Sequence, residues 1–504
     1  MPRFGIVARR RRTLLTVVGT GILAATISVA LLASCAEQPP KPPLKYHREH
    51  RPSVGLPNTV SVDLSRSLGT FPFAPGRQLS SAPNSYRYGP ATFDKLDELD
   101  LDRVRVWLRF SDAYDVARRK QRYADEYDYL DAYSKRAKTL IVNWRSDYDP
   151  LVTKGTFSEA EFAMAQLDMM VDFKRRYPKI EYIEAENEPT DLAAYYPKYR
   201  AIYQVVNAVN AMRLPGPALK VGGPTLDVFS ERRMGQFLDM YKKDSNPRKR
   251  LDFLSYHQYL ITVDGAWHAD KDNPAVVATE RKRLDRLLGA RGLPSLPVLV
   301  TETGAFPASR ESTPKLGLDV DLHIQAACLA SMHYYYLNQR DIVPLDWTID
   351  HPGNDRKDMF ANVDTGVPRP YYNEMLMSSM LPRTRFQATS DRLSPRGIGA
   401  YALAAADSSS IAVMTWNYQW TYQTAYDSRV VITNVPKEFR DTNLRVEWYK
   451  ISSNVHSGNL QRVQSLVVGP RKNGTYYSET LPLRPNELRL LVLTPTKSPV
   501  TPAP

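Results

Sequence analysis

The sequence predicts a (β/α)₈ TIM barrel of the α/β class followed by a C-terminal antiparallel β-sandwich, and three observations point to it. Between about residues 58 and 384, short apolar runs alternate with stretches of helical periodicity, the order that builds parallel sheets and barrels. After about residue 385 the texture changes to short apolar or alternating strands separated by Ser, Asn, Asp and Pro, as in antiparallel sandwiches. A chain of 504 residues with 43% hydrophobic and 24% charged side chains is globular and exceeds one small core.

Taken in order, residues 1–35 read as a lipoprotein export signal. An arginine-rich start leads into an apolar stretch from Leu14 to Ala33, and Leu32-Ala33-Ser34-Cys35 resembles a bacterial lipobox whose cysteine becomes the lipidated first residue. An uncleaved membrane helix is the other reading, because the apolar run approaches spanning length. Arg11-Arg12-Thr13-Leu14-Leu15 is also similar, more weakly, to a twin-arginine signal. Residues 36–57, with Pro39, Pro40, Pro42, Pro43, Pro52 and Pro57, form an extended spacer.

The barrel strands are expected at residues 67–70, 103–108, 139–144, 180–186, 219–223, 253–256, 298–302 and 342–347. Between them, Ser158 and Glu161 form a capping box ahead of Phe162, Ala165, Met169 and Phe173, spaced for one helix face. Ile202, Val205, Val209 and Met212 repeat that spacing. The sandwich, over 385–495, takes strands at 400–404, 411–416, 430–433, 444–448 and 488–493, and the isolated strand 59–63 is placed to complete its sheet. A frayed tail closes the chain at 496–504.

The formal charge is +13, but residues 1–34 hold five arginines and no acid, leaving +8 on the rest. Such a body suits an acidic polymer or an anionic surface as well as plain solubility. There are two cysteines. With Cys35 acylated, Cys328 has no disulfide partner, and its apolar surroundings mark it as a packing residue. Phosphate loops, dinucleotide glycine motifs, a Gly-x-Ser-x-Gly elbow and His-x-x-x-His are all missing from the sequence. No cofactor, metal or nucleic acid is implied, and the oligomeric state is not determined.

Active sites of such barrels lie at the C-terminal strand ends, and two strand ends carry an acid. The fourth runs Tyr182-Ile183-Glu184-Ala185-Glu186-Asn187-Glu188-Pro189, and the seventh runs Val298-Leu299-Val300-Thr301-Glu302-Thr303-Gly304. Cleaving a glycosidic bond requires one carboxyl group to protonate the leaving oxygen and a second to attack or stabilise the anomeric carbon. Asn187-Glu188-Pro189 with Thr301-Glu302 resembles clan A glycoside hydrolases. Val221-Gly222-Gly223-Pro224 and Asp252-Phe253-Leu254-Ser255-Tyr256-His257-Gln258-Tyr259 are similar to family 39, which includes β-xylosidases, iduronidases and exopolysaccharide hydrolases.

The resemblance implies a retaining enzyme with Glu188 as acid/base and Glu302 as nucleophile. It further implies that Arg105 orients the nucleophile, Asn187 bonds the sugar hydroxyl beside the anomeric carbon, His257 and Tyr259 stand near the nucleophile, and Trp347 forms a sugar platform. Trp107, Trp144 and Trp267 are additional wall candidates. One departure is Glu186, where the family usually has Trp. Either residues 184, 186 and 188 share strand parity and crowd three acids into the interior, which would help Glu188 keep its proton, or the strand bends and Glu186 meets a base such as Arg145. The sequence leaves both open.

The expectation is a membrane-anchored glycosidase of the cell envelope or periplasm acting on a polysaccharide or oligosaccharide. Exo-β-xylosidase action, transglycosylation and a non-catalytic carbohydrate-binding lipoprotein are the alternatives. Arg105, Arg109 and Arg145 near the rim would suit an anionic polymer.

Overall fold

A computed structural model describes residues 55–83, 87–260, 273–306, 318–351, 357–419, 424–471 and 473–501. The export signal, Cys35, the spacer to residue 54, Trp267 and residues 502–504 lie outside these. Among the described residues no helix is long and apolar enough to cross a membrane.

Eight parallel strands close into a barrel in chain order: Gln78–Ser80, Arg103–Arg109, Thr139–Arg145, Ile180–Ala185, Lys220–Leu226, Phe253–Tyr259, Val298–Gly304 and Ile342–Trp347. Closure comes from Asp346 and Trp347 pairing with Leu79 and Ser80. The expected first strand at 67–70 is wrong. Those residues end the long strand Leu56–Thr70 of the other sheet, with an exposed run of side chains. The true first strand has one apolar residue, Leu79, and is buried by its neighbours, so it shows no periodicity for the sequence to reveal.

A helix follows each strand. The helix Glu159–Arg176 starts at a complete Ser158/Glu161 capping box, satisfying two backbone donors. It buries Phe162, Ala165, Met169 and Phe173 against the barrel; each large side chain so removed from water contributes about 1.5–3 kcal/mol. In Leu192–Ala211, Ile202, Val205 and Val209 are buried while Met212, just past the end, is exposed. The helix Leu318–Tyr336 has no polar stripe, because it lies between barrel and sheet: Ala326, Ala327, Cys328 and Leu329 are all buried, and Trp416 of the sheet donates from Nε1 to Ser331 at 2.8 Å.

The second body is a nine-stranded, mostly antiparallel sheet ordered Gln461–Val468, Asn443–Ile451, Leu488–Thr496, Ile411–Tyr418, Gly399–Ala406, Thr384–Ser390, Leu56–Thr70, Tyr426–Thr433 and Tyr476–Leu483. Its sixth to eighth members join the segment before the barrel to segments after it, since Leu56–Thr70 lies antiparallel to Thr384–Ser390 and parallel to Tyr426–Thr433. Val60, Val62, Ile432, Val446, Trp448 and Leu493 share one buried cluster, so the sheet folds over its own core as a sandwich does. Strands 461–468 and 476–483 escaped sequence reading because each buries few side chains. Two boundaries need correction. Leu56 and Pro57 belong to the sheet rather than the spacer, and Thr501 is held by two hydrogen bonds to Val467, so the tail is not frayed there.

Candidate active site

Strand alternation selects which side chains enter the barrel. On the second and third strands, Arg105, Trp107 and Asn143 share the inner parity. Trp144, one residue on, has the opposite parity; it is buried and donates from Nε1 to Gln166 of a helix at 2.8 Å. It is therefore a packing residue and not part of the cleft wall.

Arg105 organises the floor. Its side chain is fully buried, and its guanidinium donates to Glu184 at 2.7 Å, Glu302 at 2.9 Å and the Asn187 carbonyl at 2.7 Å. Burial opposes that charge, but the two carboxylates outweigh it and hold Arg105 protonated above its ordinary value. Asn143 adds a 2.9 Å bond to Glu184. With its carbonyl taken, Asn187 has only its amide Nδ2 to offer a ligand.

The fourth strand stops at Ala185, and Glu186 and Glu188 take left-handed backbone angles, φ 58° and 47°. Such angles cost non-glycine residues about 1–3 kcal/mol and cluster where function demands them. The turn is tied by Glu186 N–H to the Trp144 carbonyl at 3.0 Å and by Glu188 N–H to the Thr225 carbonyl at 2.9 Å. Three acids on one face, the first alternative above, are thus excluded: the bend sends Glu186 to the backbone N–H and hydroxyl of Ser146. Burial raises the Glu186 carboxyl above its usual range against those two bonds, with Lys198 and Arg145 as weaker opposing charges.

Glu188 and Glu302 meet across His257. One oxygen of each and a ring nitrogen of His257 lie within 4.8 Å of one another. His257 Nδ1 is 2.9 Å from Glu188 and 3.5 Å from Glu302, while Tyr259 donates its hydroxyl to Glu302 at 2.5 Å. Desolvation pushes the His257 pKa down, but Glu302 and Glu188 outweigh it and leave the imidazole raised. For Glu188 partial burial pushes up, but the His257 bond and charge prevail and lower it. The elevation of Glu188 that the first alternative would have brought is therefore not what the site produces. Burial lifts the Tyr259 hydroxyl well above its normal range, keeping it a donor.

Trp347 ends the eighth strand beside Trp107, with ring centroids 5.9 Å apart. With Ala82 and Tyr259 they make a small apolar wall. Trp107 is fixed by its Nε1 donating to the Ser81 carbonyl at 2.6 Å. At the rim, Arg109 reaches Asp147 at 3.6 Å.

Thus Arg105, Asn187, Glu188, His257, Tyr259, Glu302 and Trp347 converge in one place, with Trp107 at its edge. Sequence reading missed Asn143, which has the parity of Arg105's neighbours and was detectable by alternation. It also missed Lys357, which no motif marks. The Glu188, His257 and Glu302 trio offers three atoms in metal-ligand range, but each Glu302 oxygen already accepts a protein hydrogen bond, one from the Arg105 cation. That donor set suits proton chemistry better than a second cation.

No family model matches the chain, and no curated protein does. Solved structures do. A GH39 enzyme from Xanthomonas axonopodis pv. citri superposes with a TM-score of 0.65 at 16% identity, covering 88% of this chain and 98% of that one. A glucosidase from Croceicoccus marinus gives 0.64 at 16% identity over 88% and 100%. A monomeric β-xylosidase from Caulobacter crescentus CB15 gives 0.63 at 14% identity over 87% and 99%. At these identities the shared property is the fold, a barrel joined to a β-sandwich.

Proposed function

We propose that this protein is a retaining glycoside hydrolase working by double displacement. The observation that carries the reading is the pair of strand-end glutamates whose oxygens lie within 4.8 Å across His257. Retaining enzymes hold their carboxyl groups about 5–5.5 Å apart and inverting ones about 6.5–9.5 Å. The solved structures of like fold, among them a β-xylosidase and a glucosidase, support the same class.

In this mechanism Glu302, aimed by Arg105 and Tyr259, attacks the anomeric carbon and forms a glycosyl ester as the bond to the leaving oxygen breaks. Glu188 gives that oxygen its proton, then removes a proton from the water that hydrolyses the ester. His257 and Glu188 share one proton along their 2.9 Å contact. The raised imidazole and the lowered carboxyl both favour the proton on His257; when a sugar displaces water from Glu188, the charged carboxylate is disfavoured and the proton passes to it. Asn187 Nδ2 contacts the adjacent sugar hydroxyl, and Trp347 with Trp107 supports the ring.

The substrate in this reading is a self-produced envelope or extracellular polysaccharide, cleaved internally by an enzyme tethered through Cys35 and its proline-rich spacer. A tethered enzyme reaches polymers of its own envelope rather than diffusing plant fragments.

Leaving-group dependence tests the roles. Glu302→Ala should abolish turnover of every glycoside, whereas Glu188→Ala should slow poor leaving groups far more than activated aryl ones, which need no protonation. Equal losses on both would refute the assignment. An inactive wild type that still binds oligosaccharide would indicate a binding lipoprotein instead. Rapid viscosity loss with few new reducing ends marks endo action, and steady xylose release marks exo action.

A further inference from the structure

Lys357 is a titratable group at the site that the double displacement does not use. Its side chain is fully buried, and among the described residues its Nζ has no hydrogen-bond partner. That nitrogen lies 5.4 Å from the Tyr259 ring centroid and 5.5 Å from that of Trp347. The same Tyr259 bonds Glu302, so the ammonium belongs to the wall that holds the reacting sugar.

The acids nearby are committed elsewhere. Glu302 accepts from Arg105 and Tyr259, and Glu188 from His257. Asp358 accepts the His351 N–H at 2.9 Å, and burial with Asp350 beside it pushes its carboxyl up to about 8, so near neutrality it is largely uncharged. Burial brings Lys357 down to about 7 in spite of Glu302, Asp358 and Glu188. A buried ammonium without a partner is costly, and what the pocket lacks is an anion held against Nζ.

A second cation flanks the same aromatic wall, on its Trp107 side. Arg145 stands 5.9 Å from the Trp107 ring, and among the described residues its buried Nε has no hydrogen-bond partner. Burial and the neighbouring Arg109 disfavour its charge, against the weaker pull of Glu186 and Asp147. A sugar hydroxyl can accept a hydrogen bond from either group, but a carboxylate both accepts and balances the charge, and its charge-assisted bond is the stronger.

We propose that the sugar bound against Glu302 is a hexuronic acid whose carboxylate docks on Lys357. The inference rests on the glycosidase reading and narrows its substrate to uronic-acid-containing polymers, with Lys357 as specificity determinant and Arg145 as a second carboxylate contact.

The test uses aryl glycosides of glucuronic, galacturonic and mannuronic acid, both anomers, against the matching neutral hexosides. For at least one pair the wild type should favour the uronide. Lys357→Gln should lower kcat/KM on that uronide by roughly 10- to 100-fold, the worth of one charged hydrogen bond, and by much less on its neutral partner. Lys357→Arg should restore much of the preference. Wild-type preference for the neutral sugar throughout, or an equal loss on both sugars in Lys357→Gln, overturns the proposal, since a purely structural lysine would not discriminate.

Calorimetry with the full-length Glu302→Gln variant and the same glycosides separates the two readings. If the wild type turns over nothing but this variant binds uronides in preference to hexosides, the hydrolase reading fails and the inference stands. Binding of hexosides alone, or of neither by folded protein, refutes the inference.

Discussion

Replacing Arg105 with methionine is the sharpest test of the electrostatic account of the site. The guanidinium is fully buried and, among the described residues, is the only cation in direct hydrogen bond with both Glu184 and Glu302, at 2.7 and 2.9 Å. Methionine conserves much of the volume, so the loss is mainly electrostatic. Removing one partner of a buried ion pair costs about 3–5 kcal/mol, because the other charge stays desolvated and unpaired. Here two carboxylates are orphaned, which places the expected loss toward about 5 kcal/mol, a large share of the roughly 5–15 kcal/mol typical of a domain. Glu184 keeps Asn143 and Glu302 keeps Tyr259, so the protein should still fold. Urea unfolding followed by circular dichroism reads the shift in midpoint. Adding Glu184→Gln to the variant should return at least about 1 kcal/mol, because one orphaned charge is gone. Turnover of an activated aryl glycoside should drop about 100-fold or more as Glu302 and Asn187 lose their anchor. A stability loss under about 1 kcal/mol, or no recovery in the double variant, would show that the floor of the barrel is not held by this charge network.

Three other outcomes follow from the same structure. The raised His257 pKa makes its stabilising contribution complete below about pH 6.5 and lost as pH rises through the folded-state value, whereas the lowered Glu188 contribution is present above about pH 4.5 and lost as pH falls below it. The pair should stabilise most between those limits, and the wild type should lose its advantage over a His257→Leu variant as pH rises above about 6.5 or falls below about 4.5; curves that stay parallel through both flanks would refute the coupling. Ser158→Ala removes the capping box of Glu159–Arg176 and should cost about 1 kcal/mol in urea titration without changing kcat, while no measurable loss would mean the cap is redundant. Cys35→Ser should release the protein from the membrane fraction with activity intact; retention after salt washing would make the apolar segment Leu14–Ala33 the anchor.

The barrel was legible because its elements repeat: strand, loop and periodic helix recur, and all but the first strand carry enough apolar residues to stand out. The acids Glu188 and Glu302 were legible for a related reason, since a polar group ending an apolar run needs a chemical explanation. Arg105, His257 and Tyr259 came instead from the resemblance of their strands to a known family, since nothing in their local pattern assigns them a role. Repeating elements and strand-end acids are local properties, and a linear sequence records them directly.

What the chain fold alone decided concerns contacts between distant segments. Gln78–Ser80 is a strand only because Trp347 and Arg105 pair on either side of it, and residues 67–70 leave the barrel because Thr384–Ser390 offers them an antiparallel partner. Glu186 turns away from the cleft through a left-handed bend, which alternation along a strand cannot anticipate. Lys357 follows the eighth strand with no motif around it, and becomes notable only when Tyr259 and Trp347 bury its ammonium without an anion. Hydrophobic period and strand-end polarity are set by neighbours in sequence, whereas burial and charge pairing depend on distances that exist only after the barrel closes.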